Sequence, residues 1–112
     1  MGDSQSTRYG KSTAMRLPVV LRPEAQAEFD KAFDWYEQQR PGLGVDFAEH
    51  VQELLDRIVE TPLLYSKIFK DVRRAVLRRF PYLVLYQIEK SQILVLAIFH
   101  VKRHPSIWMS RR

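Results

Sequence analysis

The sequence contains no cysteine, only three histidines and no long hydrophobic run. The absence of cysteine excludes disulfides, cysteine-based zinc sites and thiol nucleophiles, and it suits a reducing compartment. The longest apolar run, Ile93 to Phe99, is far shorter than a membrane-spanning helix requires, and the polar N-terminus has no apolar signal-peptide region. We therefore expect a cytoplasmic protein that uses no cofactor and no metal and does not contact a membrane.

What the sequence does contain indicates one folded domain. The chain has 112 residues, of which 46% are hydrophobic and 28% charged, as in ordinary globular proteins. Residues 1–14 are polar and rich in Ser, Thr and Gly without any apolar period, which predicts a flexible tail. We expect residues 15–112 to form the single domain.

Positive charge is concentrated in the second half of the chain. Residues 1–63 contain 7 Lys+Arg against 11 Asp+Glu, whereas residues 64–112 contain 11 against 2. The excess is mostly arginine, and it falls in two segments, Arg73 to Arg79 and Lys102 to Arg112. Arginine is suited to bidentate contacts with phosphate or carboxylate groups. The distribution therefore favours a nucleic acid, a nucleic-acid-bound target or an acidic protein as partner.

A short strand and two amphipathic helices are predicted in the first half. Leu17 to Leu21 is an apolar run typical of a strand, and Pro23 suits the first turn of the following helix. After the break at Pro41-Gly42 a second helix follows, and the short link predicts an antiparallel helical hairpin. The two apolar stripes at helical spacing are Ala25, Phe29, Ala32, Phe33 and Tyr36 in the first helix, and Phe47, Val51, Leu54, Leu55 and Ile58 in the second.

After Pro62 the spacing of the apolar residues changes from that of a helix to that of an extended strand. Three strands joined by short turns are predicted at Val72 to Phe80, Tyr82 to Ile88 and Ile93 to His100. The fold class is therefore α+β, with a small sheet and the helices on one face. A single helical hairpin covers only one face of a sheet, so we expect another chain to cover the second face. We assign to that face Leu83, Leu85, Val95 and Ala97, or the alternate residues of the same strands.

Two segments give the chain a likeness to a known family. One is Phe80-Pro81-Tyr82-Leu83-Val84-Leu85-Tyr86, and the other is His100-Val101-Lys102-Arg103-His104-Pro105-Ser106-Ile107-Trp108, followed by Arg111. With the predicted order of elements, the chain resembles the RelE/ParE toxin superfamily from about Leu17 to Arg112. This resemblance implies a single-domain toxin of a type II toxin–antitoxin or plasmid stabilisation system, held in a hetero-oligomer by a cognate antitoxin. The second sheet face is where we expect the antitoxin to bind.

The resemblance implies one of two activities. Members of the ribonuclease branch cleave messenger RNA in the ribosome without metal, using cationic groups to neutralise the scissile phosphate and Arg, Tyr or His for proton transfer. In this chain Leu83 stands where that branch has a catalytic arginine, and Trp108 stands where it has a tyrosine. For catalysis there remain Arg74, His100 and Arg103, and a histidine can transfer a proton near neutral pH.

These departures favour the ParE-like branch, whose members inhibit DNA gyrase by binding it. Binding requires shape and positive charge, and a RelE-like nuclease or a non-toxic basic binding module with the same fold are the alternatives. His100 and His104 have metal-ligand spacing only on a helix, which Pro105 disfavours, so we expect no metal site. We assign target contact to Arg73, Arg74, Arg78, Arg79, Lys102, Arg103, Trp108 and Arg111.

Overall fold

The computed structural model describes residues 16–103, 109 and 111, so the predicted tail at residues 1–14 lies outside the described part. Within that part the strands form one sheet in the order β1-β5-β4-β3-β2, and a helical hairpin packs on one face. The predicted α+β class is confirmed. The elements are β1 (Val19–Leu21), α1 (Pro23–Gln39), α2 (Leu43–Glu60), β2 (Lys67–Phe69), β3 (Val72–Val76), β4 (Tyr82–Ile88) and β5 (Ile93–His100).

A carboxylate fixes the turn between the two helices. Glu37, near the end of α1, accepts the backbone N–H of Gly42 at 2.8 Å and that of Gly44 at 2.9 Å. These donors lie at the start of α2, where N–H groups have no partner within the helix. Gly42 has a φ of 91°, and a Cβ on Gly44 would lie 2.6 Å from the carbonyl oxygen of Phe33. The two glycines thus permit the tight turn and the close approach of α2 to α1.

The helix-facing side of the sheet contains the main core. Tyr36 of α1, Phe47 of α2 and Phe80 at the end of the β3–β4 connection pack together, with ring centroids 5.0–5.4 Å apart. Tyr86 of β4 is fully buried, and its hydroxyl donates to the carbonyl oxygen of Pro62 at 2.6 Å. That hydrogen bond connects the segment after α2 to the centre of the sheet.

The sheet differs from the predicted one at both of its sides. The strand predicted from Val72 to Phe80 ends at Val76, because the chain turns through Arg79, whose φ is 72°. The edge strand β2 was not predicted, and it pairs antiparallel with β3. At the other side, β1 pairs in parallel with β5, through Val19 to Leu21 and Ile93 to Val95.

A β-bulge in β5 determines which residues face the helices. Leu85 pairs with Ala97 and Tyr86 pairs with Val95, so Leu96 is an extra residue in β5. The bulge reverses the alternation of side chains beyond it. Val95 consequently packs in the helix-facing core, whereas Leu96 and Ala97 both belong to the second face. The assignment of Val95 to the second face was therefore wrong.

The second face is not bare, which corrects the expectation that another chain must cover it. Six apolar residues form a separate cluster there, and each is at most 9% exposed. Phe69 and Leu94 pack against this cluster, and Met109 lines a groove together with Leu83 and Leu85. The chain covers this face itself. The six residues are Val72, Leu83, Leu85, Leu96, Ala97 and Phe99.

An ion pair closes the outer edge of β5 beyond its pairing with β1. Glu28 of α1 accepts the backbone N–H of Ile98 at 3.1 Å, and Arg111 donates to the carbonyl oxygen of Leu96 at 3.1 Å. Nη1 and Nη2 of Arg111 also donate to Oε1 and Oε2 of Glu28, at 3.0 and 3.1 Å. Backbone groups that would be open at a sheet edge thus have partners.

Candidate functional site

Antiparallel pairing brings two basic segments to one end of the sheet. Tyr82 at the start of β4 pairs with His100 at the end of β5, and the N–H of Val101 donates to the carbonyl oxygen of Pro81 at 2.9 Å. The β3–β4 turn and the segment after β5 therefore lie side by side. We call their four exposed cationic residues the basic end: Arg78, Arg79, Lys102 and Arg103.

Within the basic end, Arg79 is partly engaged by the helical hairpin. Its guanidinium lies 3.5 Å from the Asp46 carboxylate of α2, while its side chain is 65% exposed. A pair this exposed contributes little to stability. Arg79 therefore keeps its charge available to a partner.

Two other arginines assigned to target contact have structural roles instead. Arg73 lies on the helix-facing side of β3, where its Nη1 donates to the carbonyl oxygen of Tyr65 at 2.6 Å and to that of Leu63 at 3.3 Å. Arg111 is only 13% exposed and is paired with Glu28. Both guanidinium groups thus bond to other parts of the chain, and Arg73 is half-buried. Trp108, the aromatic residue in that assignment, lies outside the described residues.

A groove opens beside the basic end, between α1 and the ends of β4 and β5. Its volume is about 490 Å³, and its floor includes Ala32 and Ile98. Aromatic and cationic side chains form its walls and rim. The lining residues that carry chemistry are Glu28, Lys31, Trp35, Tyr36, Tyr82, His100 and Arg103.

Tyr82 and His100 form one wall of this groove. Their rings meet edge to face at 5.4 Å, and Nδ1 of His100 accepts the backbone N–H of Lys102 at 3.2 Å. Burial raises the pKa of the Tyr82 phenol, the positive charge of Arg103 opposes that shift, and Glu28 adds to it. Tyr82 therefore carries its proton at neutral pH and can donate a hydrogen bond.

The three residues assigned to nuclease catalysis do not all lie at one site. Arg74 is exposed on β3 opposite Leu85, so it lies on the second face, where it lines the groove of Leu83 and Leu85. His100 pairs with Tyr82 and lines the groove on the helix-facing side, together with Arg103. Directly paired residues share a face of the sheet. Arg74 and His100 are therefore on opposite faces and cannot contact the same phosphate.

The residues assigned to antitoxin contact are placed in two ways. Leu83, Leu85 and Ala97 lie on the second face as predicted, but each is buried, and Val95 is in the helix-facing core. Exposed apolar residues do occur around the groove on that face, which has a volume of about 340 Å³. We call them the apolar rim: Ile68, Val76, Val101 and Met109, which are 37–52% exposed.

The sequence did not predict strand β2, so it gave no position for Ile68 of the apolar rim. Sequence reasoning also missed the groove beside α1. The one signal for it was Trp35, which lies off the apolar stripe of its helix and is 55% exposed. Neither Glu28 nor Lys31 departs from the pattern of an ordinary solvated helix face.

Two further properties concern only the described part of the chain. Among its residues, no three His, Asp or Glu side chains are grouped so that they could hold a metal ion. None of its helices is both long and apolar enough to span a membrane.

Comparison with known proteins finds both a family model and solved structures that match. The sequence model of the family described as "ParE toxin of type II toxin-antitoxin system, parDE" matches residues 19–105. A solved structure, "Chromosomal ParDE TA system from P. aeruginosa", contains a chain that superposes with a TM-score of 0.68 and 17% identity, covering 77% of this chain and 97% of that one. At this identity the structural likeness shows the fold alone. A search of the curated proteins found none that matches.

The family match extends over all the strands and helices described above, from β1 to the segment after β5. The chain therefore belongs to the family of ParE toxins of type II toxin–antitoxin systems.

Proposed function

We propose that this chain arrests growth by binding DNA gyrase without cleaving a bond, and that a cognate antitoxin neutralises it. Membership of the ParE toxin family supports the toxin role. One observation favours binding over cleavage: the expected catalytic set is divided, because Arg74 lies on the opposite face of the sheet from His100 and Arg103. Metal-free cleavage of RNA requires a phosphate-neutralising cation and a proton-transfer group at one reaction centre.

The basic end is the surface proposed to contact gyrase or the DNA that gyrase holds. It combines four exposed cations from two segments of the chain at one end of the sheet. Three of them are arginines, which can pair with phosphates or carboxylates through two parallel hydrogen bonds. A concentrated positive surface also raises the rate of encounter with an anionic target.

The antitoxin is proposed to bind over the apolar rim. Leu83 and Leu85 form the floor of this groove, and Arg74 lies beside them as an exposed cation. An amphipathic segment with acidic residues would match both properties, because its apolar side would cover the rim and a carboxylate could pair with Arg74.

The target assignment is tested by adding the purified chain to a gyrase supercoiling reaction and, separately, to translating ribosomes with RNA ends mapped. We expect loss of supercoiling and no new RNA ends. The variant R78E/K102E should need about 10- to 100-fold more protein for half inhibition, because it reverses charge at the contact surface. New RNA ends with unaffected supercoiling would overturn the proposal.

A charge-matched control is available at other places on the sheet. Lys67 on β2 and Lys90 in the β4–β5 turn are both exposed and lie away from the basic end. The variant K67E/K90E changes the net charge equally and should inhibit supercoiling like the original chain. Equal losses in the two double variants would mean that net charge alone, rather than the basic end, determines inhibition.

The antitoxin surface is tested by co-expression with the protein encoded in the neighbouring reading frame. The variants V76D and V101D place a charge on the apolar rim and should remain toxic while that protein no longer rescues growth. L64D, at a residue 73% exposed outside the rim, should still be rescued. Rescue of V76D and V101D as efficient as that of L64D would place the antitoxin elsewhere.

Messenger RNA cleavage is the second candidate, because His100, Arg103 and Tyr82 do share one groove. A nuclease should lose about 100-fold or more of its activity in H100A if that proton transfer matters, whereas a binder should be unaffected. The third candidate, a non-toxic basic module, predicts no growth arrest when the chain is expressed alone.

A further inference from the structure

The groove beside α1 has an exposed aromatic wall on the helix side. Trp35 is 55% exposed, and its ring contacts that of Tyr36 edge to face, with centroids 5.1 Å apart and an interplanar angle of 81°. Tyr36 itself is held in the core against Phe47 and Phe80. The indole is therefore supported from below and presents ring surface to solvent.

The facing wall is also aromatic. Tyr82 and His100 lie at the ends of β4 and β5, and their edge-to-face contact at 5.4 Å holds each ring against the other. The space between the walls, about 490 Å³, falls in the range of about 300–1,000 Å³ that is usual for small-molecule sites. Aromatic side chains on both sides are the arrangement that accepts a flat ring.

The charge of the groove is positive. Lys31 and Arg103 line it from opposite sides, one on α1 and the other after β5. Glu28 also lines it, but its carboxylate is paired with Arg111 through two hydrogen bonds, so its negative charge is compensated. The lysine and the arginine are left as the excess charge, and both are cations that bind phosphate.

We propose that this groove binds a nucleobase together with its adjacent phosphate, with the base packed between Trp35 and Tyr82 and the phosphate contacted by Lys31 and Arg103. Aromatic platforms combined with cations are the physical basis of nucleotide and single-strand binding. The protonated hydroxyl of Tyr82 adds a hydrogen-bond donor to the wall. The ligand could be a free nucleotide or one unit of a single strand. This activity goes beyond the proposed inhibition of gyrase and does not depend on it.

An acidic peptide would pair with the two cations of this groove, Lys31 and Arg103, but it would leave the aromatic walls without a planar partner. Nucleotides satisfy both properties with one ligand. The two ligands differ in how far their binding depends on Trp35. A nucleotide needs the indole as well as the cations, whereas an anionic group alone needs only Lys31 and Arg103.

The test is calorimetric titration of the full chain with AMP, adenosine, ribose 5-phosphate, a ten-residue single-stranded oligodeoxyadenylate and polyglutamate. We expect AMP to bind at least about 10-fold more tightly than adenosine or ribose 5-phosphate, since stacking and charge both contribute. W35A and R103Q should each weaken AMP binding by about 10-fold or more. W35F should retain most of the affinity because it keeps a ring.

K90Q is the matched control for R103Q, because it removes one exposed positive charge at the other end of the sheet. It should bind AMP like the original chain, and thermal melting of every variant should match the original. Tighter binding of the oligonucleotide than of AMP would assign the site to single strands, and equal binding would assign it to free nucleotides. Both of these outcomes support the proposal that the groove binds a nucleotide.

Three results would overturn the proposal. The first is AMP binding no tighter than ribose 5-phosphate, which would indicate attraction to charge alone. The second is unchanged AMP affinity in W35A. The third is binding of polyglutamate without binding of AMP, which would assign the groove to an acidic protein segment. Any of these three results, together with intact inhibition of supercoiling by the original chain, would refute this inference and leave the gyrase proposal standing.

Discussion

Glu28 and Arg111, 83 residues apart in the sequence, form a two-hydrogen-bond ion pair that is 13% exposed on each side and that also satisfies backbone groups of β5. Each side chain has two tasks, since Glu28 accepts the Ile98 N–H and Arg111 donates to the Leu96 carbonyl. Removal of one partner leaves a largely buried charge without compensation, which is more costly than loss of the pair as a whole.

We therefore expect R111M to lower the free energy of unfolding by about 2–4 kcal/mol. E28Q/R111M, which removes both charges, should be less destabilised than R111M alone. Urea denaturation of the four members of this cycle gives the coupling energy. Additive effects of the two changes would mean that the side chains act independently.

Arg73 and Arg74 are neighbours, but their substitution is predicted to affect the free energy of unfolding very differently. Arg73 donates to two carbonyl groups of the segment after α2, whereas Arg74 is exposed on the other face. R73A should lower the free energy of unfolding by about 1.5–3 kcal/mol, as for hydrogen bonds made by a charged group. R74A should change it by less than about 0.5 kcal/mol. Equal effects in chemical denaturation would contradict the assignment of Arg73 to structure.

The hydroxyl of Tyr86 predicts a response to alkaline pH. Burial raises the pKa of Tyr86 to about 12, above its ordinary value of 10.0. The folded protein holds this proton more tightly than the unfolded chain, so the stabilisation is complete below pH 10 and is lost as the pH rises towards 12. Y86F should lower stability by about 1–1.5 kcal/mol at pH 7, because the Pro62 carbonyl loses its partner.

Y86F should also lose less stability than the original chain between pH 10 and 12. Thermal melting across that interval measures the difference, with Y65F as a control that removes another hydroxyl from a half-buried ring. A steeper loss in Y86F would show that the phenol is not the group that titrates.

Glu37 predicts a response to acid. Its pKa lies below the ordinary value of 4.5, chiefly because its carboxylate accepts the Gly42 N–H, with the N–H groups of Gly44 and Val45 adding to the effect. The folded pKa is lowered, so this stabilisation is present above pH 4.5 and is lost as the pH falls through the lowered value.

E37Q should therefore have a lower Tm than the original chain at pH 7, and the difference should shrink in acid. The control is E53Q, at the exposed Glu53 of α2, which makes the same chemical change away from the turn between the helices. A difference in Tm that stays constant from pH 7 to pH 3 would rule out the charge of Glu37 as the cause.

The helices could be predicted because each has a regular apolar stripe and a clear stop in proline or glycine. The order of the sheet was less accessible, since β2 has three residues and no alternation. Periodicity also could not show which residues of β5 lie on which face of the sheet. The strand is apolar on both faces, so its sequence gives no sign of the extra residue at Leu96. The expectation of a bare second face failed for this reason and for a second one: Met109, which follows β5 in the chain, also lines the groove on that face.

The candidate site was partly visible in the sequence. The two arginine-rich segments could be identified from charge, and antiparallel pairing brings them together as a strand meander requires. Individual roles could not be read in this way. Arg73 and Arg74 alternate between the two faces of β3, but the sequence does not show that Arg73 meets the Tyr65 carbonyl. Arg111 likewise resembles a surface residue until α1 places Glu28 beside it.

The parallel pairing of β1 with β5 affects the order in which the chain can fold during synthesis. A chain still being synthesised can form the helical hairpin early, but residues 19–21 have no strand to join until residues 93–95 have left the ribosome. The basic end also depends on this late strand, because two of its four residues, Lys102 and Arg103, follow β5. A fragment that ends before residue 93 would therefore contain both helices but would lack β5 and half of the basic end.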